Sequence, residues 1–137
     1  MARWMALVPL FALAAAAQDR SRTLPVFPPD MIVHDSPVRD LAKLDTKHAK
    51  VDFENERTRV LRITLAAGES TIMHDSRDGT LVCPAACAVT VTNPAGYTLE
   101  IKLAAGGTQW MPAARHRITA GAAAVEILYI EVKRPDR

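Results

Sequence analysis

The chain has 137 residues, enough for one domain, with 17 Lys and Arg against 15 Asp and Glu and a formal charge of +2. No long run of one sign appears, which argues against a nucleic-acid stripe or a polybasic membrane patch. Three Phe, two Tyr and two Trp are too few for a platform on which single-stranded bases could stack.

The first element is a leader, "MARWMALVPLFALAAAAQDR". Arg3 supplies a positive n-region, residues 4–14 an apolar h-region, and Ala15-Ala16-Ala17 a small-residue cleavage site before Gln18. The apolar run is shorter than the roughly 18 residues of a spanning helix. Residues 1–17 are therefore expected to be a cleaved signal peptide, the alternative being an uncleaved anchor. A secreted or periplasmic protein follows, with no membrane attachment after cleavage. The remaining chain of about 120 residues can bury a single core without staples.

Residues 18–47 form a Pro-rich arm with Pro25, Pro28, Pro29 and Pro37. "TLPVFPPDMIV" cannot run as a continuous helix, because each proline removes a donor and restricts the residue before it. The arm either packs on the domain or trails from it. "SPVRDLAKLD" (36–45) predicts one short helix, with Ser36 as N-cap and Pro37 at the first helical position.

From residue 50 the hydrophobic period is near two. "KVDFE" alternates Val51 and Phe53 with charges, and "TRVLRITL" sets Leu61, Ile63 and Leu65 opposite Val60, Arg62 and Thr64. "AVTVT" alternates Val89 and Val91 with threonine, and "YTLEIKL" aligns Leu99, Ile101 and Leu103. "VEILYIEV" is nearly continuous, as in a strand buried on both faces or changing sheets. With "AAGES", "RDG", "PAA", "NPAG", "AAGG" and "TAG" as turns, seven to nine short strands make an all-β sandwich or barrel. Cys83 and Cys87, in "VCPAACAV", read as the two ends of a short hairpin loop, either bonded or as two free thiols.

The histidines are His34, His48, His74 and His116. His34 in the arm and His48 before the first strand read as solvated. His74 and His116 lie on opposite sides of the "TVTNPAGYTLEI" hairpin, so residues far apart in sequence can become neighbours. "HDS" recurs at 34–36 and 74–76, but consecutive residues of an extended strand alternate in direction and cannot form a Ser-His-Asp triad.

Two half-motifs carry a family resemblance. Gly68, five residues and His74 in "GESTIMHDSRDG", then Gly106, five residues, Pro112 and His116 in "GGTQWMPAARH", follow the two motifs of a cupin. Residues 48–134 resemble a small single-domain cupin. The resemblance implies a jelly-roll barrel of antiparallel strands, with a metal held by two His and a carboxylate of the first motif and one His of the second. Small-cupin resemblance also implies a homodimer.

The chain departs from the pattern at three places. Ser76 stands where the second histidine belongs, Thr80 near the acidic ligand, and Ala120 where asparagine often follows. His74 and His116 are the surviving candidate metal ligands, and two imidazoles with hydroxyls hold a divalent transition metal weakly. Asp75 should point away from His74 by strand alternation. Ser76, Thr80, Trp110 and Arg62 are candidates for lining the cavity. Trp110 reads equally as core, and Arg62 equally as a solvated cation. Three readings remain for the His pair: a buried relic of a metal site, a weakened site, or a metal-free acid–base pair. The leading expectation is a secreted cupin-like protein that binds a small molecule or a partner without efficient catalysis. The alternatives are a metal-dependent oxygenase or isomerase and a structural dimerisation module.

Overall fold

The computed structural model describes residues 39–134; the expected signal peptide, most of the Pro-rich arm and His34 lie outside the described residues. One short helix, α1 (Leu41–Leu44), precedes nine strands: β1 (Ala49–Glu54), β2 (Thr58–Leu65), β3 (His74–Ser76), β4 (Gly79–Cys83), β5 (Cys87–Thr92), β6 (Thr98–Leu103), β7 (Gly107–Met111), β8 (Ala114–Ala120) and β9 (Val125–Val132). They form two antiparallel sheets, a five-stranded one ordered β1-β2-β9-β4-β7 and a four-stranded one ordered β3-β8-β5-β6. The all-β expectation holds.

The period-two pattern sets which face each strand buries. Leu61, Ile63 and Leu65 of β2 face Ile127 and Tyr129 of β9 and Leu81 of β4 within one core. Val89, Val91, Ile101 and Ile118 contribute the four-stranded sheet's side. β9 does not change sheets. It lies in the middle of the five-stranded sheet, burying alternate residues, with Leu128 and Ile130 half-buried and Glu126 and Val132 exposed on the other face.

Three local expectations are corrected. The helix starts at Leu41 and not at Pro37, because Asp40 is its N-cap, its carboxylate accepting from the Ala42 amide at 3.2 Å. Phe53 does not share a face with Val51. A bulge at Asp52 shifts the register, so Val51 pairs with Leu61 and Phe53 with Val60, and Phe53 turns outward. Cys83 and Cys87 do form a disulfide, yet they do not close a hairpin. Cys83 ends β4 and Cys87 begins β5, strands of different sheets, so the bond pins the corner where the chain crosses between layers.

The end of the arm packs on the domain. The Asp75 amide donates to the Arg39 carbonyl, and Asp40 bridges Asp75 in parallel along the free edge of β3. Leu41, 1% exposed, then enters the core, and α1 touches both β1 and β3. The segment thus spans the seam between the two sheets. Gly68 and Gly106, the glycines that open the two half-motifs, have φ of +72° and +76°. Each occupies a left-handed position that a side chain would strain, which gives the motif spacing a backbone cause.

Candidate functional site

His74 and His116 meet as the expected folding of the hairpin requires. They are direct cross-strand partners of β3 and β8, with ring centroids 4.9 Å apart and planes at 89°. Both are buried, His116 completely. The His74 Nδ1–H donates to the Ile72 carbonyl at 2.8 Å, which leaves its Nε2 as the unprotonated nitrogen. Burial pulls the His74 pKa down, partly offset by that bond.

His116 Nε2 lies 3.1 Å from the Ser76 hydroxyl, and the Tyr129 hydroxyl donates to the Arg77 carbonyl at 3.1 Å. His116 Nδ1 has no hydrogen-bond partner, although it is fully buried. Burial, then the neighbouring His74, pulls the His116 pKa down to about 3. Tyr129 is pushed well above its ordinary value by burial and the nearby Glu131 and Asp78.

The carboxylates nearest the pair are committed elsewhere. Asp75 points away from His74, as alternation requires, and binds Arg115 at 2.6 Å and the Arg39 amide at 3.1 Å. Asp78 closes the β7–β8 turn, accepting from the Ala113 amide at 2.7 Å and pairing with Arg134. No group of three or more His, Cys, Asp or Glu converges as metal ligands among the described residues. A divalent ion here would meet at most His74 Nε2 and the orphaned His116 Nδ1, with no anionic ligand, in a fully buried space. The residues present do not fit the metal that the fold implies.

Of the other candidates, Ser76 is where the resemblance puts it, against His116. Thr80, Trp110 and Arg62 are not in the interior. Thr80 and Trp110 pair with each other on the outer face of the five-stranded sheet, and Trp110 is 43% exposed. Their inward neighbours Leu81 and Met111 fill the core instead. Arg62 lies on the same outer face, ion-paired with Asp52 and Glu126.

Two polar clusters escaped the sequence reading. Arg59 lies inside the barrel, its Nη1 2.8 Å from Asp40 and its Nε 2.9 Å from Glu131, while Arg77 reaches Glu131 at 3.3 Å. Burial works against the Arg59 charge, but both carboxylates outweigh it and raise its pKa. Asp40 is likewise held low by Arg59 against the effect of burial. The signal was present in the pattern: Arg59 shares the face of Leu61 and Ile63, and Glu131 that of Ile127 and Tyr129. His48 is the second. It is not solvated: Nδ1 lies 2.9 Å from Asp45 and Nε2 3.2 Å from Glu69, and Lys47 binds Glu69 from outside. Burial opposes its charge, but Asp45 and Glu69 outweigh that and raise its pKa. Glu69 is held down to about 2 by the Ala66 amide, His48 and Lys47.

Comparison with solved structures gives the fold. A cupin domain from Bordetella pertussis Tohama I superposes with a TM-score of 0.56 at 21% identity, over 63% of this chain and 92% of that one. The cupin domain of Schizosaccharomyces pombe Cnp3 gives 0.50 at 19% identity, over 63% of this chain and 64% of that one. No family model matches the sequence. No curated protein matches it either.

Proposed function

We propose that this cupin-fold chain is a binding protein that works without a metal, engaging a partner at its surface and performing no chemistry inside its barrel. The observation that carries this reading is the buried His74–His116 pair with no carboxylate converging on it: Asp75 is bound to Arg115 and Asp78 to the Ala113 amide. His74 Nδ1 is taken by the Ile72 carbonyl, and His116 is 0% exposed. The interior also holds the buried Arg59, Asp40 and Glu131, which favours a partner over a small ligand within the barrel. The same proposal places the protein outside the cytoplasm. Its supports are the leader-like first 17 residues and the Cys83–Cys87 disulfide, which suits an oxidising compartment.

Elemental analysis of the purified chain, after incubation with Mn, Fe, Ni and Zn salts and gel filtration, tests it. The expected content is below about 0.1 metal per chain. Near one metal per chain, lost on changing either His74 or His116 to leucine, would overturn it in favour of a metal-dependent enzyme. Ser76→His supplies the missing imidazole and is expected to raise metal uptake measurably above the unmodified chain.

A further inference from the structure

A cleft of about 100 Å³ lies where the chain enters β1. Thr46, Lys47, His48, Lys50, Arg62 and Thr64 line it with Ala49, and no carboxylate does. The pairing of β1 with β2 assembles it. Lys50 is the cross-strand partner of Arg62, and the Thr64 amide donates to the His48 carbonyl at 2.8 Å, so residues 46–50 run beside 62–64. Alternation then sends Lys50, Arg62 and Thr64 to one side of the sheet. Carboxylates stand around the cleft but not in it. Glu69 binds Lys47 at 3.1 Å, Asp52 lies 3.9 Å from Lys50, and Arg62 pairs with Asp52 and Glu126. The Lys47 and Lys50 side chains are 75% and 71% exposed, so their pairs contribute little and either ammonium can turn to a ligand. His48 adds a wall and no donor, because its Nδ1 is engaged by Asp45 and its Nε2 by Glu69.

We propose that this cleft binds a tetrahedral oxyanion, a phosphate or sulfate group. Lys47, Lys50 and Arg62 meet its charge from three separate residues, and Thr46 and Thr64 offer hydroxyl donors. An ammonium has three N–H and a guanidinium five, so each cation keeps donors beyond those its acidic partner takes. A phosphate group brings at least three acceptor oxygens to these five side chains, where a carboxylate brings two. Pockets for whole organic ligands run from about 300 Å³, so the smaller volume here suits a single ion or group. Arg62, which lies outside the barrel, thus gains an anion-binding role on the outer surface.

Calorimetric titration of the purified chain with sodium phosphate, at an ionic strength fixed by chloride, tests the proposal. One saturable site with a Kd of about 1 mM or tighter is expected, and sulfate should compete for it. Changing both lysines, Lys47→Gln with Lys50→Gln, should weaken binding by about tenfold or more, as loss of charge-assisted hydrogen bonds does. Asp52→Asn removes the carboxylate that shares Lys50 and Arg62, and should tighten binding by about threefold. Lys102→Gln, exposed on the four-stranded sheet, should change nothing. Each variant should keep the unmodified circular dichroism. Glycerol phosphate separates the two sources of such a group. Tighter binding of the ester assigns the cleft to a phosphate carried on a larger molecule, and tighter binding of inorganic phosphate assigns it to the free ion; both support the site. No saturation below about 20 mM phosphate overturns the proposal. So does binding that is indifferent to the lysine pair, or that Lys102→Gln weakens equally. Metal content enters none of these outcomes.

Discussion

At the scale of single residues, the charged groups differ sharply in what they contribute. Arg59, Asp40 and Glu131 are desolvated together, and the Arg59 guanidinium pairs with both carboxylates. Removing one partner leaves an uncompensated buried charge, so Asp40→Ala should cost about 3–5 kcal/mol in urea denaturation. Lys133→Ala, which breaks an exposed pair with Glu54, should cost less than about 1 kcal/mol. His116 is the opposite case. Its orphaned Nδ1 is a standing penalty of about 1–3 kcal/mol, so His116→Leu should leave the melting temperature unchanged or raise it. A fall equivalent to more than about 2 kcal/mol would mean that Nδ1 is satisfied by a buried water. The glycine-to-histidine spacings made the His pair legible in the sequence, because they fix a turn and a strand direction. The orphaned His116 Nδ1 was not legible, since it depends on which groups packing brings around the ring. Trp110, Thr80 and Arg62 were misplaced because motif spacing locates a strand without saying which parity faces inward.

Among the elements, strand identity was legible wherever one face is buried, as in β2, β5, β6 and β9. It failed in β1, where the extra residue Asp52 inverts the parity of everything after it. Periodicity averaged over a window cannot see one inserted residue. Pairing order was also hidden, because alternation names the faces of a strand and not its neighbours. "VCPAAC" therefore looked like a hairpin when it is a crossing between sheets. The disulfide there closes a very short loop, worth about 2 kcal/mol by loop entropy. Reduction should lower stability by about that amount and add two protons in intact mass spectrometry. A larger loss would show that the bond holds the two layers in place as well as restricting the unfolded chain.

For the whole molecule, the three described histidines set opposing pH limbs. The raised folded pKa of His48 gives stability that is complete below 6.5 and is lost as pH rises through that folded pKa. His74 and His116 have depressed folded pKa values, so the unfolded chain takes up protons that the folded one refuses, and stability falls as pH drops below 6.5. Unfolding free energy should therefore peak near pH 6.5. In urea titrations across the pH range, His48→Gln should flatten the alkaline limb and His116→Leu should shallow the acid limb. An alkaline limb unchanged in His48→Gln would remove Asp45 and Glu69 as its origin. The strand order carries a further consequence, for synthesis. Among the described residues β9 is the last strand to be made, yet it lies between β2 and β4 and links the two halves of the larger sheet. While the chain is still emerging, neither half can find its neighbour, and the larger sheet cannot close until residue 132 is free. A ribosome-bound chain halted before Val125 should stay open to protease, and the finished chain should close in one step once its final strand is released.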